Sequence, residues 1–170
     1  MVDDSDFGWA LGVVFREWQR EVHAAAAKLP HGARAFQVLV TLDVAEPPRQ
    51  GELAAHLGID RTVLTYLVDD LVKAGLVERV VDARDRRAFR VVLTARGSRR
   101  LTGLRSRVAE GERRLLHGLG DDSAQQLRGL VERAAASIHS GTGVHDACRV
   151  AAEILADAEE AHAIVATAKP

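Results

Sequence analysis

Charged and hydroxyl-bearing side chains are concentrated in residues 51–94, at spacings that suit contact with nucleic acid. Four consecutive charged residues occupy one turn: Arg84, Asp85, Arg86 and Arg87. An arginine-rich tip suits a narrow minor groove, where the negative potential is enhanced. Asp85 is two residues before Arg87 and is expected to hold its guanidinium by a charge-assisted hydrogen bond. The alternative is an ordinary solvated hairpin.

A second group of polar residues lies upstream on one predicted helix face. It offers hydrogen-bond donors, acceptors and a methyl group, which are the groups that read base edges in a major groove. Its members are Arg61, Thr62, Thr65 and Tyr66. A solvated helix face without function is the alternative for these residues alone, and the arginine-rich turn makes the DNA-reading interpretation the stronger one.

Two short helices separated by a glycine turn are predicted to position that face. The first covers residues 52–57. It is predicted to end at Gly58, because helices often end at a residue with left-handed backbone, and glycine adopts that conformation readily. Asp60 is the predicted N-cap of the second helix, residues 61–74. Apolar residues recur every three or four positions in the second helix and form its predicted buried stripe: Leu64, Leu67, Val68 and Leu71.

Two runs rich in β-branched and apolar residues follow, residues 76–81 and 89–93. They are predicted to pair as strands around the charged turn. Surface hairpins turn more often on Asn-Gly or Asp-Gly, so the arginine-rich tip favours a functional role. Together the elements predict a mainly α (α+β) chain that contains a winged helix-turn-helix.

The segment resembles the MarR (multiple antibiotic resistance regulator) family of bacterial transcription factors. The resemblance rests on ELAAHLGIDRTVLTYLVDDL, then KAGLVER, then DARDRRAFRVVLTARG, and is close over residues 51–97. It implies a homodimer that binds a near-palindromic double-stranded operator, usually as a repressor released by a small molecule. An aromatic acid is the effector type that the resemblance suggests, with Trp18 and Phe36 as candidate lining residues.

The resemblance also assigns individual positions. Asp85 and Arg87 match the wing-tip pair of the family. The positions that read bases and phosphates are matched by Arg61, Thr62 and Thr65. Many members carry arginine where this chain has Tyr66, so the sequence preference of the family at that position does not transfer.

Charge is distributed unevenly along the chain, although the net charge is only -1. Residues 49–107 contain 13 Lys or Arg and 7 Asp or Glu, which gives a net charge of +6. Residues 1–48 and 108–170 have net charges of -3 and -4. Positive charge concentrated on one segment of an acidic protein is typical of a DNA-binding module.

Amphipathic helices are predicted on both sides of the reading segment. Residues 1–48 are expected to hold two helices, the first of them a dimerisation helix, and residues 49–94 the DNA-binding region. Dimerisation helices are expected over 95–140 and an additional helix over 144–168, all within one compact domain. The inward-facing residues predicted in the first helix are Phe7, Leu11, Val14, Phe15, Trp18 and Val22; in the second Phe36, Leu39, Val40 and Val44; in the last dimerisation helix Leu127, Leu130, Val131, Ala134 and Ile138.

Catalytic and metal-binding chemistry finds no support in the sequence. The seven histidines lack metal-ligand spacing, no phosphate-binding loop is visible, and a lone cysteine, Cys148, excludes an internal disulfide. We therefore expect no enzyme activity, metal or cofactor, no membrane span, and a cytoplasmic location. Two alternatives remain at this stage: a winged-helix protein-interaction module, and a ligand-binding protein that does not bind DNA.

Overall fold

The computed structural model describes residues 6–44 and 46–141. The additional helix predicted at 144–168, and Cys148 within it, lie outside the described residues. In chain order the elements are α1 (Phe7–Ala26), α2 (Gly32–Thr41), α3 (Gln50–Leu57), α4 (Arg61–Lys73), β1 (Val77–Val81), β2 (Phe89–Leu93), α5 (Ala95–Leu116), a short 3₁₀ helix (His117–Leu119) and α6 (Asp121–Gly141).

Side-chain caps fix where three helices begin. Asp6 accepts a hydrogen bond from the Gly8 amide at the start of α1. The Asp60 carboxylate accepts bonds of 2.8 and 3.2 Å from two amides of the first turn of α4. Thr94 does the same for α5, and Gly58 ends α3 with a φ of 62°. The predicted N-cap at Asp60 and C-cap at Gly58 are confirmed.

The hydrophobic core lies beneath the helix-turn-helix and the hairpin. The predicted stripe of α4 is confirmed, since its four members are at most 2% exposed: Leu64, Leu67, Val68 and Leu71. They pack with Leu39 of α2, Leu53 of α3 and Leu101 of α5 in one cluster. Each fully buried aliphatic side chain contributes roughly 1.5–3 kcal/mol. The polar face of α4 is therefore held outward by the burial of its opposite side.

The first turn of α5 packs directly on the backbone that precedes the hairpin. A Cβ added at Gly97 would lie 1.9 Å from the carbonyl oxygen of Leu76. Thr94 donates a hydrogen bond of 2.8 Å to the Gly75 carbonyl at the same junction. Gly97 is therefore required by a close approach between α5 and this backbone that no side chain permits.

Two of the residues predicted to face inward in α2 are exposed, so these two predictions are wrong. Val40 is 37% exposed and Val44 is 53% exposed, whereas Leu39 is buried as predicted and Phe36 packs partly buried against the core. The helix ends at Thr41, so Val44 is not on its face. Burial is centred instead on the side that carries Ala35, Val38, Leu39 and Leu42.

The outer helices leave much of their apolar surface uncovered in a single chain. In α1, Val22 is buried and the Phe15 and Trp18 rings stack with their centroids 5.9 Å apart. Large exposed apolar residues are Phe7, Trp9, Leu11 and Val14 in α1, and Leu130, Val131 and Ile138 in α6. Inward packing of these residues within one chain is not observed, because no other described element covers them.

Candidate nucleic-acid interface

The outward face of α4 is formed by the predicted reading residues. Arg61, Thr62 and Tyr66 are exposed, with Tyr66 at 65%. Val63 is also exposed, at 56%. Nothing in the sequence marks Val63 as exposed, since an apolar residue beside a buried stripe is usually buried as well. This face offers a guanidinium, a hydroxyl, a phenol and an aliphatic group to the solvent.

Thr65 lies half-buried and differs from its neighbours. Its hydroxyl donates to the Arg61 carbonyl oxygen at 2.8 Å and accepts from the Gln50 side-chain amide at 2.9 Å. Gln50 begins α3, so this contact joins the two helices of the helix-turn-helix. The Thr65 hydroxyl therefore forms hydrogen bonds within the protein, and the sequence does not predict these bonds.

The wing is a regular two-stranded antiparallel hairpin. Val77 pairs with Leu93 at its base and Val81 with Phe89 near its tip. The turn closes when the Asp82 amide donates to the Ala88 carbonyl oxygen at 3.0 Å. Arg84, Arg86 and Arg87 project from this turn and are exposed.

Asp82 is the buried centre of the wing. Its side chain is 0% exposed. One carboxylate oxygen accepts from the backbone amides of Arg84 and Asp85, at 2.7 and 3.1 Å. The other accepts from Nε of Arg49 at 3.0 Å and Nε of Arg90 at 2.7 Å. Four donors therefore converge on one carboxylate and fix both the turn backbone and the attachment of the wing.

The electrostatics of this site follow from the four bonds. The hydrogen bond from Arg49, then that from the Arg84 amide, hold the pKa of the Asp82 carboxyl well below its usual range. The same bond with Asp82 raises the pKa of the Arg49 guanidinium. Charge-assisted bonds to a buried carboxylate favour its ionised form. Asp82 is therefore ionised wherever the protein is folded at ordinary pH.

Arg49 and Arg90 connect the wing to the segment before α3. They form an isolated antiparallel bridge. Arg90 also donates through Nη1 to the Pro47 carbonyl oxygen. Asp82 begins the segment DARDRRAFRVVLTARG, on which the family resemblance rests in part, but Arg49 is 33 residues away and carried no signal for this contact.

The predicted contact between Asp85 and the Arg87 guanidinium is wrong. The Asp85 carboxylate accepts instead from the Arg87 backbone amide, at 3.0 Å. The short loop makes this amide the nearest donor, which leaves the guanidinium pointing free. Within residues 6–44 and 46–141, Arg61, Arg86 and Arg87 form no salt bridge, and Arg84 reaches only Glu46, at 3.8 Å.

Comparison with known proteins agrees with this arrangement. The model of the MarR family matches residues 32–88. Wild-type apo MarR from E. coli is 26% identical, with 78% of this chain and 98% of that chain covered and a TM-score of 0.68. CouR from Rhodococcus jostii RHA1, in a structure bound to p-coumaroyl-CoA, is 30% identical over 75% of this chain and 90% of its own, with a TM-score of 0.59. The chain belongs to the MarR family.

MarR family proteins are DNA-binding transcription regulators. A further member, a transcriptional regulator from Rhodococcus sp. RHA1, is 28% identical, with 78% of this chain and 96% of that chain covered and a TM-score of 0.61. These comparisons confirm the resemblance and the winged-helix fold class predicted from the sequence. They do not test the roles of individual residues, which stay predictions.

An apolar groove lies between α1, α5 and α6. Its volume is about 810 Å³, and its lining includes Phe15, Trp18, Leu127 and Val131, with Arg113 and Arg128 among its polar residues. Phe36 is not part of its lining, so the structure does not bring Trp18 and Phe36 into one crevice. Trp18 alone remains a candidate for ligand contact.

Residues 6–44 and 46–141 contain no group of three or more His, Cys, Asp or Glu that could hold a metal ion. No helix in these ranges is long and apolar enough to cross a membrane.

Proposed function

We propose that this MarR family member binds a near-palindromic operator as a homodimer and represses transcription until a small aromatic ligand releases it. Each α4 lies in a major groove with Arg61, Thr62, Thr65 and Tyr66 toward the bases. Each wing places Arg87, with Arg84 and Arg86, at the adjacent minor groove or its phosphates. We assign no catalytic residue, and a DNA-binding role places the protein in the cytoplasm.

One observation carries the proposal. Asp82, where the turn of the wing begins, is buried and its carboxylate is occupied. Arg86 and Arg87 in the same turn are exposed and form no salt bridge among the described residues, and Arg84 reaches only Glu46, at 3.8 Å. Exposed charges of the same sign add little to the stability of a hairpin. Exposed cations without an acidic partner, as at Arg86 and Arg87, suit a polyanion, because phosphate contacts supply most of the affinity of such proteins.

Dimerisation is supported by the uncovered apolar residues of α1 and α6. Contiguous exposed apolar surface of this kind marks an interaction site. A twofold axis through these helices gives two reading heads, which a near-palindromic site requires at a spacing of about 34 Å. We expect Leu130→Glu to convert a dimer into a monomer, measured by light scattering after size-exclusion chromatography, because a charge on this face is left buried.

The matched control for that experiment is Ser123→Glu. It adds the same charge to the first turn of α6, where the residue is exposed and an acidic group is favoured by the helix dipole. Dimers in both variants would contradict the assignment of the α6 face to the interface.

Arg87→Ala is expected to weaken operator binding by about 10–100-fold per half-site, the range for loss of one specific arginine contact, and a dimer loses one such contact in each half. The guanidinium takes no part in any described hydrogen bond, so the melting temperature should stay the same. Fluorescence anisotropy with a labelled duplex, at fixed salt, measures the change.

Arg99→Ala serves as the control for charge alone. Arg99 is exposed on α5, which follows the base of the hairpin, and a five-residue strand of roughly 16 Å separates that end from the tip. Its substitution should change affinity little. Equal losses in the two variants would mean that only net charge matters and that the wing has no specific position on DNA.

The effector proposal rests on the groove lined by Trp18. The polar lining of this mainly apolar groove consists of two arginines and two glutamates, and Arg128 is ion-paired with Glu112. Arg113 is therefore the arginine available to an acidic group on an aromatic ligand. The similar protein CouR has a structure bound to p-coumaroyl-CoA, an aromatic acyl thioester. Because the groove adjoins the uncovered helices, a ligand there would shift the population of dimer states and change the spacing of the reading heads.

Selection of bound sequences from a random duplex pool tests the whole proposal. We expect enrichment of an inverted repeat, and loss of that enrichment when aromatic acids such as p-coumarate, or their CoA esters, are added. If a sequence is enriched and its enrichment persists with every such compound, the proposed aromatic effector is contradicted. No enrichment at all would favour a protein-interaction module.

A further inference from the structure

A chain of polar contacts runs from β1 to the reading face of α4. Nη1 of Arg79 lies 2.6 Å from the Asp69 carboxylate. Its Nε donates to the Gln50 side-chain oxygen at 3.1 Å. The Gln50 amide nitrogen then donates to the Thr65 hydroxyl at 2.9 Å, which donates to the Arg61 carbonyl oxygen at 2.8 Å.

Arg79 fixes the direction of every hydrogen bond in this series of contacts. A guanidinium has only donors, so the Gln50 oxygen must face Arg79. The Gln50 amide nitrogen must then face Thr65, whose hydroxyl accepts the bond. A hydroxyl has a single proton. In Thr65 that proton goes to the Arg61 carbonyl oxygen, which is itself an acceptor only.

The Thr65 hydroxyl therefore has no proton to donate to a base. Most major-groove acceptors, such as guanine O6 and N7 or thymine O4, require a donor. The hydroxyl can accept one further bond, from the amino group of adenine or cytosine. The methyl group is the other part of the half-buried side chain that can contact a base. Of the four bases only thymine carries a methyl group in the major groove.

We propose that Thr65 is a specificity-determining residue that recognises thymine through contact between the two methyl groups, with Gln50 as its positioning residue. The inference rests on the proposed function, since it requires α4 to lie in a major groove. The two groups of the Thr65 side chain then have different roles. The methyl group contacts the base, and the hydroxyl orients the methyl group.

Two variants separate these parts. Thr65→Ser keeps the hydroxyl and removes the methyl, whereas Thr65→Val keeps a methyl in the same place and removes the hydroxyl. The probe is the duplex that wild-type protein enriches from a random pool. Each thymine in it is replaced in turn by uracil, which lacks only the methyl group.

Wild-type protein should lose about fourfold in affinity per half-site when the contacted thymine becomes uracil, the effect of one buried methyl group. Thr65→Ser should bind the thymine and uracil duplexes equally. Thr65→Val should retain the discrimination. Gln50→Leu should reduce it, because the threonine side chain is then free to rotate. Cooperative melting of each variant establishes that it is folded.

Several results would overturn the inference alone: no uracil substitution that weakens wild-type binding, full discrimination in Thr65→Ser, or none in a folded Thr65→Val. Failure of the wild-type protein to enrich any duplex would overturn the proposed function, and this inference with it. The outcomes are distinguishable because the enrichment step precedes the uracil series.

Discussion

Operator affinity should fall by roughly 10³–10⁵ when the salt concentration rises from about 50 to about 200 mM, for some 6–10 phosphate contacts. Each protomer offers four exposed arginines on α4 and the wing: Arg61, Arg84, Arg86 and Arg87. A dimer then presents twice that number, within the stated range. Counterions released from the duplex make log affinity linear in log salt concentration.

The slope gives the number of contacts. Each neutralised phosphate contributes about -0.9 to it. Since Arg87→Ala removes one contact from each half of a dimer, it should make the slope shallower by about 1.8. Arg99→Ala should leave the slope unchanged. A wild-type slope near zero would show that the exposed arginines do not contact phosphate, and would contradict the proposed interface directly.

Asp82→Asn is expected to lower the melting temperature by about 10 °C and to weaken DNA binding at least as much as Arg87→Ala. All four bonds to the Asp82 carboxylate come from donors. An amide replaces one acceptor oxygen by a donor group, so two of the four donors lose their partner. Where those are Arg49 and Arg90, the wing also loses its attachment to the segment before α3.

Asp85→Asn is the matched control. It removes the same charge from the same turn, but the Asp85 side chain is exposed and accepts only from the Arg87 amide, which an asparagine oxygen also satisfies. Thermal melting and anisotropy on both variants make the comparison. Similar melting temperatures for Asp82→Asn and wild type would show that the buried carboxylate is not what holds the wing.

The effect of Asp82 should depend on pH with a defined sign. Its folded-state pKa lies below the unfolded value of about 3.9. The stabilisation is therefore fully present above pH of about 4 and is lost as the pH falls toward the folded-state pKa. The difference in melting temperature between wild type and Asp82→Asn should be constant near neutral pH and should narrow only in acid.

The helix-turn-helix was predictable because its signals are local. Gly58 ends α3 and Asp60 caps α4, and each acts within one turn of its own position. The buried stripe of α4 follows from helical periodicity alone. The hairpin bounds were also close to those predicted, since β-branched runs and a charged turn are read directly from neighbouring residues.

The contacts that position the site were not predictable in the same way. Asp82 and Arg49 meet because α3 and the wing fold onto each other, and no local rule relates positions 33 residues apart. The spacing of Asp85 and Arg87 predicts a bond to the Arg87 guanidinium, whereas in the folded turn the Arg87 backbone amide is the donor. Thr65 was placed with the reading groups, but only the folded chain shows that its hydroxyl is occupied by Gln50.

The sequence by itself determined which segments become helix or strand, which face of α4 is buried, and where positive charge accumulates, because these depend on periodicity, capping and composition over a few residues. Only the folded chain shows how the wing is fixed and which groups occupy the Thr65 hydroxyl. It also shows that the apolar faces of α1 and α6 remain uncovered in a single chain. Such features depend on which distant groups compete for each donor, acceptor or apolar surface, and that competition takes place only in the folded protein.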